Sequence, residues 1–598
     1  MVSKWVECLL LCVCLSASTS SAPEAFEVVT KALTDYLTSG ARPPNLDHAL
    51  EQYPLPNVLV TGEIKDDSQK CRLCTLLTDV LIMNRRLGMN DVQLASEASY
   101  LCRTMKMATD RVCDGTIKNN LDIFTYMIDN NEDMTGSRIC RIVLREKECD
   151  SGSENYEWTI DVPPGKTVER TKTNSSTTFN ILHVSDIHYD PLYTPGKTNT
   201  CHENVCCQDD QADGELAAGT ACGYWSDYYN ADIPFYTMQE TLRQTTTHNF
   251  DYVYYTGDFV AHRVWSTSVE NNTRDIIAVT DQFKKYYNVP VYPVLGNHEP
   301  HPVNLWSSDG VDGTISTQWV FDLVAEQWGE WLSEDAKKTI LKGGYYTVSP
   351  RKGFRVIALN SNLCYITNWW LINDSKDPHG QLAWLGEQLL EAEKNEESVH
   401  ILMHVPSGNS DCLHTWGREY RRLVTRFSNT ITGQFSGHTH RDQFWVYYDE
   451  EEPSKAVNVL WNGASVTPYS YANPSYKLYQ INTETFDVFD LEEWTFNLTL
   501  ANMYPSREVD WYKLYSFKDA FEVDTLQPND VDGLISKMLK NRSLIYKYYL
   551  YKFRNSDVAV ASGCDESCQK SLLCDMVTTA YDDTEHCEKI KKLYDENK

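Results

Sequence analysis

The sequence predicts a multidomain protein: a small all-α unit, then an α/β body, then a helical tail. Three observations lead there. A length of 598 residues exceeds what one hydrophobic core fills and fits roughly three or four units. Between Cys71 and Cys149, apolar residues recur at helical spacing, as in Leu73, Leu76, Leu77, Val80 and Leu81. From Phe179 onward, short β-branched and aromatic runs read as buried strands closed by turns.

Taken in order, Lys4, the apolar Cys8 to Leu15 and the small residues Ser16 to Ala22 have the layout of a secretory signal peptide at 1–21. No other stretch reaches the ~18 apolar residues of a membrane span, so the mature chain is expected to be soluble, monomeric, and secreted or lysosomal. Of 19 Cys, Cys8, Cys12 and Cys14 leave with the signal; the 16 that remain are compatible with disulfides in an oxidising compartment. Sequons at Asn174, Asn271, Asn373, Asn497 and Asn541 are expected glycosylation sites there. A net charge of -30 argues against nucleic acid and against docking to anionic membranes by charge, and fits work at acidic pH.

Residues 22–66 show a modest helical pattern without chemistry. Residues 67–153 form the cysteine unit, with Cys71, Cys74, Cys102, Cys113, Cys140 and Cys149 set among helical periodicities such as Ile117, Leu121, Phe124 and Ile128. Cys71-Arg72-Leu73-Cys74 could be a zinc or redox motif. It lacks a second close pair and a preceding strand, so disulfides are expected. A linker follows at 154–178, where Pro163, Pro164 and Gly165 stop helix and strand. The catalytic body is expected at 179–490. Within it, Cys201, Cys206, Cys207 and Cys222 are expected to form two local disulfides, and Cys364 and Cys412 to bridge two loops. Residues 491–598 read as a helical, Tyr-rich subdomain closed by Cys564, Cys568, Cys574 and Cys587, and carry no assigned chemistry.

The chemistry lies at the strand ends. Phe179 to Val184 releases Asp186 and His188; Tyr252 to Thr256 releases Asp258; Val291 to Leu295 releases Asn297, His298 and Glu299. His400 to Met403 releases His404, and Gln434 to Gly437 releases His438 and His440. Open α/β sheets place their sites at such carboxyl ends. The carboxylate, amide and imidazole donors suit zinc or another borderline divalent ion. Asp186, His188, Asp258, Asn297, His404, His438 and His440 are too many for one tetrahedral ion and suit two. Such a pair clamps a phosphoryl group and makes hydroxide available near neutral pH for in-line attack on phosphorus. A His inside a strand is more often structural, and His183 and His400 are read so. Trp265, Trp306, Trp369 and Trp370 fit a lipid entry face or core packing equally well.

Asp-x-His, Gly-Asp, Gly-Asn-His-Glu, a lone His after a strand and Gly-His-x-His, in this order, resemble the five blocks of the calcineurin-like metallophosphoesterases, an α+β sandwich fold. The cysteine unit resembles a saposin domain, and with Ala261-His262 after Gly257-Asp258 the chain resembles the acid sphingomyelinase family. That resemblance implies Cys71 paired with Cys149, Cys74 with Cys140 and Cys102 with Cys113. It implies one zinc ion on Asp186, His188 and His440, another on Asn297, His404 and His438, and Asp258 between them. His298 and His262 would then serve the reacting phosphate and the leaving group, with Asn304 and Tyr469 near the substrate. The implied reaction cleaves sphingomyelin to ceramide and phosphocholine, with lipid presented from a membrane surface by the saposin unit. Met403 departs from the metallophosphoesterase pattern and Ser407 from the sphingomyelinase pattern, and both bear on loop shape around His404. A sphingomyelinase-like phosphodiesterase acting on soluble nucleotides or other phospholipid diesters and a non-catalytic lipid-binding protein are the alternatives. A purple acid phosphatase is disfavoured because Ala261 stands where its Tyr ligand belongs.

Overall fold

The computed structural model describes Lys31 and residues 67–104, 108–144, 156–165, 175–211, 219–408, 410–580 and 584–597. The expected signal peptide, the segment 22–66 apart from Lys31, Cys149 and Asn174 lie outside them.

Two six-stranded sheets form the body, in the strand orders β12-β11-β10-β1-β2-β3 and β4-β5-β6-β7-β9-β8. In the first, β1 (Thr178–Val184), β2 (Tyr252–Tyr255) and β3 (Val291–Pro293) run parallel. β10 (Ser475–Asn482), β11 (Val488–Thr495) and β12 (Tyr512–Ser516) extend it antiparallel. In the second, β5 (Phe354–Ala358), β6 (Ser398–Leu402), β7 (Ile431–Ser436) and β9 (Ala456–Asn462) are parallel. β4 (Tyr346–Arg351) and β8 (Phe444–Tyr448) close its edges antiparallel. The expected α/β body therefore stands, with one correction to its extent. The sheet does not stop at residue 490, because β11 crosses it and β12 follows within the stretch read as purely helical.

The sheets meet face to face through aromatic rings. Phe354 stacks on Phe486 at 4.6 Å, Tyr254 meets Phe435 at 5.2 Å, and Phe435 meets Tyr479 at 4.9 Å. His400 crosses this interface: Nδ1 lies 2.8 Å from the Tyr254 hydroxyl and Nε2 2.8 Å from the Phe486 carbonyl. His183 in β1 bonds Thr256 Oγ1 at 2.8 Å. Both have structural partners. The outer face of the second sheet is covered by helices Gln381–Lys394 and His414–Arg426, whose buried Leu382, Leu385 and Leu389, and Trp416, Tyr420 and Leu423, follow helical spacing.

The cysteine unit comprises helices Asp67–Arg86, Asp91–Thr104, Asp110–Asp129 and Gly136–Val143, tied by Cys74–Cys140 and Cys102–Cys113. Cys71 is disulfide-bonded. The unit shares a core with the body, since Phe124 packs on Trp369 at 4.6 Å and Tyr126 on Trp370 at 5.6 Å. Trp265, Trp306, Trp369 and Trp370 are all buried, so packing is their role. The described linker residues 156–165 are strapped down as well. Arg418, Arg422 and Arg426, spaced one helical turn apart, donate to the carbonyls of Trp158, Ile160 and Pro163.

The remaining disulfides are Cys201–Cys206, Cys207–Cys222, Cys364–Cys412, Cys564–Cys568 and Cys574–Cys587. Of the sequon residues, Asn541 is exposed, while Asn271, Asn373 and Asn497 are half-buried. Among the described residues no helix is long and apolar enough to cross a membrane.

Candidate metal centre

The donors converge where the parallel strands of both sheets end. The chain turns sharply there. Asp186, His188, Asp258, His438 and His440 all have φ between 46° and 72°, the left-handed region that Asp, Asn and His tolerate better than most residues. The residue types that ligate metals are thus also the ones these turns admit. Two motif glycines leave room for carboxylates: a Cβ on Gly296 would sit 2.1 Å from Asp258 Oδ1, and one on Gly437 would sit 2.8 Å from Asp186 Oδ2.

Two groups of donors share one carboxylate. His188 Nε2 and His440 Nε2 lie 3.1 Å apart, and Asp186 Oδ1 is 3.4 Å from His440 Nε2. Asn297 Oδ1 lies 2.9 Å from both His404 Nε2 and His438 Nδ1. Asp258 Oδ2 stands between the groups, 3.3 Å from His188 Nε2 and 3.1 Å from His404 Nε2. The other Asp258 oxygen accepts the His298 backbone N–H at 2.9 Å.

The tautomers decide what can fill this space. His188 Nδ1 bonds the Val260 carbonyl at 2.8 Å, His404 Nδ1 the Thr256 carbonyl at 2.6 Å, and His440 Nδ1 the Tyr469 carbonyl at 3.2 Å. A carbonyl only accepts, so each Nδ1 carries a proton and Nε2 is the nitrogen turned inward, free to ligate once it gives up any proton of its own. His438 is reversed: Nε2 faces the Asp411 carboxylate at 3.4 Å, and Nδ1 points in. Lone pairs of neutral imidazoles about 3 Å apart repel unless a cation lies between them. Outer partners of this kind orient metal ligands generally. The donor set therefore fits divalent ions, in two groups joined by Asp258.

Glu299 fastens the turns together, accepting from the backbone N–H of Gly296, Asp258 and Phe259. Asn304 lies behind the centre. It is fully buried, and its Oδ1 accepts from Asn297 Nδ2 at 2.8 Å, which turns the Asn297 oxygen toward His404 and His438. Tyr469 lies flat on His262, with ring centres 3.7 Å apart, and its hydroxyl bonds the Asn204 carbonyl. The His298 ring packs edge-on to His188 at 4.7 Å and His262 at 4.5 Å.

The sequence reading missed Asp232. It accepts from His262 Nδ1 at 2.9 Å and from the His262 backbone N–H at 2.7 Å. A ring nitrogen of His262 also lies within 4.8 Å of ligand nitrogens of His188 and His440. Burial pushes the Asp232 carboxyl up to about 7. Burial holds His262 well below its ordinary range. The only sequence signal for Asp232 is its place two residues before Pro234, near a helix start.

Residues 179–442 match the family described as calcineurin-like phosphoesterase, and residues 456–594 the family described as acid sphingomyelin phosphodiesterase C-terminal region. The chain is 32% identical over 531 residues to sphingomyelin phosphodiesterase of Bos taurus, covering 86% of this chain and 83% of that protein. It is 30% identical over 531 residues to sphingomyelin phosphodiesterase 1 of Caenorhabditis elegans, covering 86% of this chain and 92% of that one. The chain belongs to the sphingomyelin phosphodiesterase family.

A solved dimetal phosphatase from Danio rerio aligns at 14% identity and a TM-score of 0.33, over 53% of this chain and 95% of that chain. The two departures noted in the sequence, Met403 and Ser407, have local partners. Met403 is buried and its N–H pairs with the Phe435 carbonyl at 2.9 Å. Ser407 Oγ bonds the Tyr447 hydroxyl at 2.6 Å, fastening the loop after His404.

Proposed function

We propose that this family member hydrolyses sphingomyelin to ceramide and phosphocholine in the secretory pathway, using two zinc ions. The observation that carries the reading is Asp258 Oδ2 standing 3.3 Å and 3.1 Å from inward-facing nitrogens of two separate donor groups. Two bound zinc ions supply Lewis-acid polarisation of a phosphoryl group and lower the pKa of water to about 7. Asp186, His188 and His440 would hold one, Asn297, His404 and His438 the other, with Asp258 available to both. In this reading His262, tied through one nitrogen to Asp232 with the other turned toward the centre, would in its protonated form pass a proton to the departing ceramide oxygen. His298 is placed to face the phosphate. An alkoxide leaves poorly, and a positioned general acid is worth about 10² to 10⁴ in rate.

Purified protein is expected to carry about two zinc ions per chain, and Asp258→Asn to lose both metal and phosphodiesterase activity. Metal content well under one ion per chain, or an Asp258→Asn variant with unchanged turnover, would sink this reading.

We further propose that residues 67–153 act as a saposin domain. An apolar cleft lined by Leu81, Ile82, Leu94, Leu121 and Phe124 supports this, as do Leu87 and Val92, each 78% exposed at the unit's tip. Because the unit covers Trp369 and Trp370, deleting it would uncover the body's core. Point changes are the cleaner probe. Leu87→Glu with Val92→Glu should slow cleavage of vesicle sphingomyelin while a soluble phosphocholine diester is turned over normally. Equal loss on both substrates would leave the unit a folding partner only.

A further inference from the structure

Arg554 comes from the tail that the sequence left without chemistry, yet it ends beside the metal centre. It follows helix Arg542–Lys552 and is fully buried. Its planar fork reaches three acceptors. Nη1 donates to the His440 carbonyl at 2.8 Å, Nε to the Asn473 carbonyl at 2.8 Å, and Nη2 to Ser465 Oγ at 3.1 Å. The Arg554 carbonyl accepts in return from Asn473 Nδ2 at 3.0 Å.

Ser465 and Asn473 bound a loop that wraps the centre. From it the Val466 N–H bonds the Ser185 carbonyl and the Thr467 N–H the Asp186 carbonyl, each at 3.0 Å. Thr467 Oγ1 donates to Asp232 at 3.1 Å, and the Tyr469 carbonyl takes the His440 ring proton. Arg554 therefore grips the loop near both ends and the His440 backbone at once. His440 has a φ of 55°, a conformation that persists only when its surroundings hold it. Its ring is held by Tyr469 and its carbonyl by Arg554.

We propose that Arg554 is a positioning residue that holds His440, and with it the Asp186, His188 and His440 metal group, in ligating geometry. The proposal rests on the two-metal reading. Lysine keeps the charge but cannot span three acceptors in fixed directions. Outer partners of metal ligands are typically worth about 10- to 100-fold in affinity.

The test is zinc titration of metal-stripped protein against a chromophoric chelator, comparing wild type, Arg554→Lys, Ser465→Ala and, as a control on the same subdomain, Arg542→Gln. Arg554→Lys should weaken one of the two zinc sites about 10- to 100-fold and leave the other unchanged. Ser465→Ala, which spares the bond to His440, should shift the same site by less and keeps the test available if Arg554→Lys does not fold. Arg542→Gln should match wild type. Two unchanged sites in both Arg554→Lys and Ser465→Ala, or equal weakening of both sites with a lowered Tm, would overturn the proposal. Fewer than two sites in wild type would instead overturn the two-metal reading.

Discussion

The metal centre and the seat of the cysteine unit both join segments remote in sequence, but different forces hold them. At the centre the contacts are directional. Backbone carbonyls of Val260, Thr256 and Tyr469 each fix one imidazole tautomer, and Asn304 turns the Asn297 amide. At the seat the contacts are mostly area. Phe124 and Tyr126 bury aromatic surface against Trp369 and Trp370, and a few oriented bonds, such as Arg111 to Glu203 and Arg138 to the Asn373 carbonyl, are added at the edges. A site that must present lone pairs needs angles. A docked unit needs buried apolar surface, which carries little directional demand.

That contrast can be broken from either side. Asp232→Asn removes the carboxylate behind His262 without touching a metal donor, so kcat should fall by up to the 10² to 10⁴ that a general acid typically supplies. KM and zinc content should stay near wild type. The pH–rate profile checks the assignment: burial places the Asp232 carboxyl at about 7, so the wild-type inflection there should vanish in the variant. Unchanged turnover would remove His262 from the reaction.

Trp369→Ala addresses the seat. Trp369 is 2% exposed, and emptying such a site costs about 3 to 5 kcal/mol. Chemical denaturation should show that loss at full zinc occupancy. Loss of zinc under native conditions would mean that the two regions are not separable.

The smallest effect concerns the sheet beneath the centre. Glu493 in β11 is fully buried with Lys477 Nζ 3.9 Å from Oε2, and burial, then the charge of Asp442, raises its carboxyl to about 8. Its folded value exceeds its unfolded value of about 4.3, so the native state keeps the proton across that interval. The stabilising contribution is complete below about pH 4 and is lost as pH rises through about 8. Glu493→Gln should therefore flatten the fall in Tm between pH 5 and 8. An identical slope in wild type and variant would show that Glu493 does not titrate in this range.

Much of the centre was legible because its donors come in short blocks at strand ends, where a Gly turn and a ligand stand side by side. Asp186-Ile187-His188 and His438-Thr439-His440 show their alternation within three residues. Asp232 and Arg554 were not legible for the opposite reason. Each stands alone in its segment, and only a partner far along the chain gives it meaning: Asp232 bonds His262 thirty positions on, and Arg554 bonds His440 across 114 positions. The tryptophans were ambiguous because composition cannot distinguish a covered ring from an exposed one. The tail read as helical because β12 has only five residues, two of them exposed, and shows no clear alternation.

By itself the sequence determined the α/β body, the order of the five ligand blocks and the disulfide-tied helical unit, since each is written in local spacing that backbone geometry obliges. Only the tertiary structure decided which way each imidazole presents its lone pair, that the linker is strapped to helix His414–Arg426, and that the tail reaches the centre. Those depend on hydrogen bonds and packing between distant segments, whose angles and distances no local periodicity encodes.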